Sequence, residues 1–300
     1  MIVTRASIWW RVLRASNLPT VWTNVLLGTL LALPADSPTP NWWSLACMLV
    51  AGSFAYLAGM AHNDLCDESF DRACEAPRPL VRGELTRHSL QRAMTALLVG
   101  FVVAVTGAAM VHHGLNVVTD ALIIGLLGSI MGYNLLHRSN WAIAALFMAA
   151  CRALLVLLGA QIAGDLTSGP VLFAAAAVAC WTAGITLLAR GERGGESAAG
   201  GWLGLFILAT VLTLGVGLSG MGSLPVATFG GLLVLGVVWV PTIWREHARG
   251  RHVPAVMWSI LGLCVLDAAM FLATDHFIAA GVAVACMALC MVLQRRAMGT

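Results

Sequence analysis

The chain has 300 residues, of which 59% are hydrophobic and only 10% charged, and its mean hydropathy is +0.86. A soluble globular chain is typically about 25% charged, so this composition excludes an ordinary soluble protein, and its hydrophobicity excludes intrinsic disorder. The net charge of +3, carried without any Lys, is too small to indicate a nucleic-acid partner, so the composition predicts an integral membrane protein.

Apolar runs of about 18 or more residues predict the membrane-spanning helices. Ten such segments follow one another along the chain, at about 20–34, 43–61, 92–111, 117–135, 141–163, 169–189, 201–219, 225–242, 254–273 and 277–293. A broken or re-entrant segment in the last pair would reduce the number to nine. The predicted fold is an all-α polytopic membrane helix bundle of nine to ten transmembrane helices, in a single domain over residues 1–300.

The distribution of Arg predicts the orientation of the bundle, because cytoplasmic loops carry an excess of basic residues. With the N-terminus in the cytoplasm and ten alternating crossings, 16 of the 17 Arg residues fall on the inner side. The remaining one, Arg152, lies inside the fifth predicted helix. We therefore expect a multi-pass protein, in a bacterial inner membrane, with both ends and the polar loops on the cytoplasmic side.

The charged residues concentrate between residues 63 and 84, at the inner end of the second predicted helix. Asn63, Asp67 and Asp71 are four residues apart, so successive side chains drift by only about 40° around a helix and form one oxygen-bearing stripe. Clustered carboxylates repel one another unless cations neutralise them, and Mg²⁺ takes oxygen ligands together with substrate phosphates. Arg78 and Arg82 follow as planar partners for phosphate oxygens. The pattern favours a Mg²⁺–phosphate site, and the alternative is a solvated loop of mixed charge.

These residues resemble a known family. The motif over residues 63–72 (Asn-Asp-x-x-Asp-x-x-x-Asp-Arg), with the Arg-Pro-Leu and Gly of residues 78–83, looks like the first signature of the UbiA superfamily of intramembrane prenyltransferases. Residues 133–138 are similar to the family's Tyr-x-x-x-Lys-Arg segment, with His137 in place of the Lys. Arg152 falls where such proteins often carry an Arg. The resemblance spans roughly residues 18–200.

The resemblance implies a bundle around a central lipid-accessible cavity, in which Mg²⁺ and two acidic motifs hold an isoprenyl diphosphate. Ionisation would give an allylic cation, which survives only where water is excluded and which a small acceptor captures. Four residues would be catalytic: Asp67, Asp71, Tyr133 and Arg152. Five would bind the diphosphate: Arg78, Arg82, His137, Arg138 and Arg152. Five would bind the metal: Asn63, Asp67, Asp71, Glu192 and Glu196.

The second acidic motif departs from the family pattern, which is usually rich in Asp. Here residues 187–197 contain no Asp, and only Glu192 and Glu196 keep the four-residue spacing. Glu can bind Mg²⁺, but its longer side chain reaches a different position, and the Gly residues between the two make a regular helix less favourable. The sequence of this segment looks most like that of a divergent, EboC-type branch of the family.

Two ionisable residues lie within predicted membrane helices, where a charge is costly and is expected to face the bundle interior and a partner. For Arg152 two roles are open: it binds the diphosphate or supports the acidic motif, or it is the structural partner of a carboxylate. Asp267, in the ninth predicted helix, is interpreted as a structural carboxyl.

The sequence therefore predicts an enzyme that transfers a prenyl group from a polyprenyl diphosphate to a small aromatic or other acceptor within the membrane, with Mg²⁺ as cofactor. One alternative is a UbiA-type terpene cyclase, in which the cation is quenched within its own chain. Another is a non-catalytic component that binds or carries a prenyl lipid.

Overall fold

The computed structural model describes residues 5–34, 39–76, 78–111, 115–191, 201–221 and 225–298. Within these ranges the chain forms helices and turns and no strand, so the all-α prediction is confirmed. The helices are α1 Arg5–Val12, α2 Leu18–Leu31, α3 Trp42–Ala73, α4 Arg87–Ala109, α5 Val117–Leu136, α6 Trp141–Ala163, α7 Gly169–Gly191, α8 Gly201–Met221, α9 Val226–Leu233, α10 Val240–Ala248, α11 His252–Leu272 and α12 Phe277–Met298. A short 3₁₀ turn, Ala15–Asn17, precedes α2, and a π-helical segment, Val234–Trp239, joins α9 to α10.

Each of the ten predicted apolar segments overlaps a helical stretch, and the eighth runs through α9, the π-helical segment and the start of α10. Among the residues that the structure describes, nine helical stretches are long and apolar enough to cross a membrane, with Val226–Ala248 counted as one. The tenth is α2, whose 14 residues span only roughly 21 Å, less than the hydrocarbon core of about 30 Å. The short segment is therefore the first of the series, whereas α11 and α12 are continuous helices of 21 and 22 residues.

Short polar side chains define where four of the long helices begin. Asn41, Thr86, Asn116 and Asn140 each precede a helix and accept hydrogen bonds from backbone N–H groups of its first turn. These N–H groups have no partner within the helix, so a side-chain oxygen at this position satisfies them and fixes the start of the helix.

Helix α2 lies in the centre of the bundle and packs against α3, α6, α7, α11 and α12. Its approach to α6 requires glycine on both helices. A Cβ atom at Gly28 would lie 1.9 Å from the carbonyl oxygen of Val156, and one at Gly159 would lie 2.8 Å from the carbonyl oxygen of Val25. Small residues allow membrane helices to come this close.

The buried apolar side chains form two large clusters, and α2 contributes to both. One contains Trp181, Phe206 and Phe271 together with Leu27 of α2. The other contains Phe101 together with Val25 of α2. Helix α2 therefore joins the two halves of the core, and any polar residue on it is buried between them.

Helices α3 to α7 run in alternating directions, since the ends of α3, α5 and α7 contact one another through Asp67, His137 and Arg190. As a result, α3, α5 and α7 end at the same end of the bundle at which α4 and α6 begin. This end, called the acidic end below, carries the residues of the polar stripe, and the 3₁₀ turn before α2 contacts it as well.

Candidate functional site

Helix α3 carries the polar stripe into the bundle interior. Its 32 residues span roughly 48 Å, well beyond the hydrocarbon core of about 30 Å, so its last turns reach the membrane boundary. The amide and the three carboxylates of the motif are buried at this point, with exposed fractions of 8% for Asn63, 4% for Asp64, 4% for Asp67 and 8% for Asp71, whereas Arg72 is exposed. The four-residue spacing therefore produces a buried row of oxygen atoms rather than a solvated helix face.

The end of α5 supplies cationic partners for Asp67. The Arg138 guanidinium contacts Oδ1 of Asp67 through Nε at 2.9 Å and through its terminal NH2 nitrogen at 2.8 Å. The same oxygen lies 3.3 Å from Nε2 of His137, whose ring stacks on Tyr133 with centroids 5.3 Å apart. The structure thus brings together three residues of the 133–138 segment with the central carboxylate of the stripe.

The turn that follows α3 folds Arg78 back toward the stripe. The Ala76 N–H donates to the Asp71 carbonyl at 2.8 Å, and Nε of Arg78 then lies 3.7 Å from Oδ2 of Asp71. Arg82 is oriented differently, because it pairs with Glu84 at 3.7 Å and its side chain is 53% exposed. Arg78 is therefore positioned beside the stripe, whereas Arg82 lies at its flank.

Arg14 is a partner of the stripe that the sequence reasoning did not identify. Its guanidinium donates to Oδ1 of Asn63 at 3.3 and 3.4 Å and to Oδ1 of Asp64 at 3.4 Å. Its backbone is left-handed, with φ 46° and ψ 42°, a conformation that costs a non-glycine residue about 1–2 kcal/mol. In the sequence nothing distinguishes Arg14 from Arg11, because both simply precede the first apolar segment.

Arg152 lies deeper in the bundle, on α6, and is 8% exposed. It donates to the backbone carbonyl of Thr20 at 3.1 Å, to the Thr20 hydroxyl at 3.0 Å and to Oδ1 of Asn24 at 3.0 Å. Asn24 in turn donates through Nδ2 to Oδ2 of Asp267 at 2.8 Å. Asn24 thus links a buried guanidinium to a buried carboxyl, and both ionisable residues that were predicted within the membrane belong to one network.

Tyr56 connects this deeper network to the acidic end. Its ring centroid lies 5.8 Å from Cζ of the Arg152 guanidinium, which stands over the ring. Its hydroxyl donates to the Arg14 carbonyl at 3.3 Å. Tyr56 precedes Asn63 by seven residues, so it lies on nearly the same face of α3, roughly 10 Å deeper in the bundle. Sequence reasoning missed Tyr56, although its seven-residue offset from the motif is a signal that could have found it.

The predicted second motif lies outside the described residues. Glu192 and Glu196 belong to the segment 192–200, which follows the end of α7 at Gly191. Just before this end, Arg190 donates to the His137 carbonyl at 3.1 Å. The end of α7 therefore lies against the same residue that contacts Asp67.

The residues of the stripe suit a hard divalent cation in their chemistry. Asn63, Asp67 and Asp71 offer amide and carboxylate oxygens, the ligands that Mg²⁺ prefers, and Mg²⁺ usually takes few protein ligands beside water and phosphate. Within the described ranges no three His, Cys, Asp or Glu side chains converge on one point that would hold a metal by themselves. The arrangement fits a metal that is shared with a phosphate-bearing substrate better than a closed structural metal site.

Comparison with known proteins agrees with the motif. The model of the UbiA prenyltransferase family matches residues 21–256. No protein with a curated function matches the sequence.

Solved structures share the fold over nearly the whole chain. A UbiA homologue from Aeropyrum pernix K1, solved in its apo form, is 19% identical, covers 90% of this chain and 98% of its own, and superposes with a TM-score of 0.65. A UbiA homologue from Archaeoglobus fulgidus bound to GPP and Mg²⁺ is 15% identical, with coverages of 89% and 99% and a TM-score of 0.61. A digeranylgeranylglyceryl phosphate synthase is 13% identical, with coverages of 90% and 99% and the same TM-score. At these identities the structures establish the fold, and the family match covers most of the sequence. The chain is a multi-pass integral membrane protein, and it belongs to the UbiA prenyltransferase family.

Proposed function

We propose that this protein transfers a prenyl group from an isoprenyl diphosphate to a small acceptor within the membrane, with Mg²⁺ as cofactor. The observation that carries the proposal is the buried stripe of Asn63, Asp67 and Asp71, set against Arg78, His137 and Arg138. Family membership and a relative that binds GPP and Mg²⁺ support it. The aromatic or other identity of the acceptor is part of the proposal.

The residues of the stripe would hold Mg²⁺ together with the diphosphate. When bound, the metal supplies positive charge that stabilises the diphosphate as it leaves. Asn63, Asp67 and Asp71 are its proposed ligands. Glu192 and Glu196 would complete a second acidic motif, because they directly follow the α7 end that contacts His137.

The basic residues would then bind the diphosphate in place of the carboxylates. Arg138 and Arg78 already contact Asp67 and Asp71, so an incoming diphosphate with its cation can exchange places with these pairs without leaving a guanidinium unpaired. Arg82 can join them only by leaving Glu84. Arg14 keeps Asn63 and Asp64 in place from the 3₁₀ turn before α2.

The reaction itself breaks the bond between the allylic carbon and the diphosphate oxygen, and the electron pair leaves with the diphosphate. The acceptor forms a bond to the resulting cation and loses a proton. Tyr133, stacked on His137 beside Asp67, is placed to hydrogen-bond the diphosphate or to stabilise the cation through its ring. Arg152 reaches the site through Tyr56, and its hydrogen bonds to Thr20 and Asn24 support a structural contribution as well.

The remaining expectations are part of the same proposal. Residues 1–300 form a single domain, the acidic end faces the cytoplasm of a bacterial inner membrane, and the prenyl tail occupies a central lipid-accessible cavity. The excess of Arg on the acidic-end loops supports the orientation. The sequence of residues 187–192 supports the assignment of this protein to an EboC-type branch.

The test is a comparison of Asp67→Asn with Glu75→Gln in proteoliposomes. Both variants remove one negative charge at the end of α3, but Glu75 is exposed and is not part of the stripe. With Mg²⁺, an acceptor panel and labelled prenyl diphosphates of increasing chain length, Asp67→Asn should lower pyrophosphate release by about 100-fold or more, as expected when one preorganised electrostatic contact is lost. Glu75→Gln should match the wild type.

Three results would overturn the proposal. Full turnover by Asp67→Asn would exclude the stripe as the site of ionisation. Acceptor-independent formation of a cyclised product would identify a terpene cyclase. Tight binding of a prenyl diphosphate without pyrophosphate release, across all acceptors, would identify a non-catalytic carrier.

A further inference from the structure

A polar cavity lies on the opposite face of α3 from the stripe. Its volume is about 690 Å³, and it is lined by His62, Leu65, Cys66, Glu68, Ser69, Arg72, Arg87, Gln91 and Met94. At about 100° per residue, the α3 members of this list lie about 100–160° around the helix from Asp67, the middle of the stripe. The cavity is therefore a groove between α3 and α4 that the proposed reaction does not use.

The charges in this groove leave an excess of one positive charge. Glu68 accepts from Arg72 at 2.9 Å and from Arg87 at 2.6 Å, so one carboxylate is shared by two guanidinium groups. Both Arg side chains remain about half exposed, at 55% and 54%. Each guanidinium has five N–H donors, so both retain donors for a further anion.

Other features of the groove also favour an anion. The Ser69 hydroxyl and the Gln91 amide line the same cavity and are additional donors. Arg87 is the first residue of α4, and the N-terminus of a helix carries partial positive charge. The groove therefore combines two exposed guanidinium groups with neutral donors.

The surroundings of the groove indicate a ligand with an acyl chain. The buried Leu65 and the half-buried Met94 form the apolar part of its lining. Further along α4, Val102 is 46% exposed and lies 11 residues beyond Gln91, within about 20° of it around the helix, so it continues the groove on the same face. A ligand whose phosphate lies between the two Arg residues would therefore place its chains along an apolar helix surface.

We propose that this groove binds the phosphate of an anionic phospholipid from the leaflet at the acidic end. Basic pockets between membrane helices on the cytoplasmic side are typical sites for such headgroups. The lipid would bridge α4 and the face of α3 that is turned away from the stripe. The competing interpretation is that Arg72, Glu68 and Arg87 form only a structural link between the two helices.

The two interpretations predict different effects for Glu68→Gln. If the groove binds a phosphate, removal of the carboxylate eliminates a repulsive charge and frees both guanidinium groups, so lipid retention should rise. If the cluster is purely structural, the same variant removes its central member and lipid retention should not change. Arg87→Gln should lower retention roughly fivefold, as expected for one basic residue near an anionic surface. Arg92→Gln is the matched control, because Arg92 is an exposed residue on the first turns of α4 that does not line the groove.

Retention is measured by native mass spectrometry after purification from nanodiscs of phosphatidylcholine with or without phosphatidylglycerol. Addition of inorganic phosphate to lipid-free protein in detergent distinguishes a lipid site from a site for the free anion. Cys66, which lines the groove, should be protected from a maleimide by phosphatidylglycerol but not by phosphatidylcholine, as mapped by peptide mass spectrometry. Cys74 is exposed outside the groove and should react equally in both.

The proposal is wrong if phosphatidylglycerol adducts and Cys66 protection are the same in Arg87→Gln, Arg92→Gln and the wild type. Protection of Cys66 by inorganic phosphate alone would also overturn it in favour of a free-anion site. If Arg87→Gln does not fold, Arg72→Gln gives the same comparison on the other side of the groove.

Discussion

The network of Arg152, Asn24 and Asp267 makes a quantitative prediction about stability. Arg152→Met removes three hydrogen bonds, two to Thr20 and one to Asn24. At about 0.6 kcal/mol for each hydrogen bond within a membrane protein, these bonds account for about 2 kcal/mol. The variant also removes the cation that Asn24 links to the buried Asp267, and this loss from a buried charged network raises the expected cost to about 3–5 kcal/mol.

A double-mutant cycle tests whether the loss arises from the network. Asp267→Asn keeps the shape of the side chain and removes its charge, so in combination with Arg152→Met it should cost less than the sum of the two single variants, by about 1–3 kcal/mol. Unfolding in detergent micelles, followed by a thermal or denaturant transition, gives these values. Arg92→Met, which changes an exposed Arg on α4, should stay within about 0.5 kcal/mol of the wild type. Additive losses in the cycle would show that Asn24 does not couple the two charges.

Two further predictions concern packing and the site. Gly28→Ala would place a Cβ atom 1.9 Å from the Val156 carbonyl oxygen, so α2 and α6 must separate and the free energy of unfolding should fall by about 1–3 kcal/mol. In the same assay, Gly128→Ala should not destabilise the protein, because a Cβ atom at Gly128 meets nothing within 4 Å. Equal stability of the two variants would contradict the close contact. Arg138→Gln removes a charged hydrogen-bonding partner of Asp67, so it should raise KM for the prenyl diphosphate about tenfold or more in steady-state pyrophosphate release. Because Arg138 is 30% exposed, its loss should cost less than about 1 kcal/mol of stability, and an unchanged KM would exclude it from diphosphate binding.

The polar stripe of α3 illustrates what local sequence can establish. The four-residue spacing of Asn63, Asp67 and Asp71 placed their side chains on one face of a helix, and the structure buries that face. Helical periodicity alone determines this result, since neighbouring side chains on a helix depend only on the spacing of residues. The second acidic motif keeps this spacing only between Glu192 and Glu196, with glycines between them, and both residues remain a prediction.

The sequence did not indicate which side chains would contact one another between helices. The spacing did not show that Arg14 would contact Asn63, 49 positions away, rather than Arg11 or Arg5. Equally, nothing near Arg152 in the sequence indicated Asn24 or Asp267 as members of one network, because these residues lie on three different helices.

The sequence by itself determined the membrane environment, the succession of apolar helices and the chemical character of one helix end, because apolar runs and residue spacing act locally along the chain. Only the tertiary structure decided which cation meets which carboxylate, and how far α2 penetrates between the two halves of the core. These contacts depend on how closely helices pack, and that distance is set by glycines such as Gly28 and Gly159 facing a backbone carbonyl on another helix.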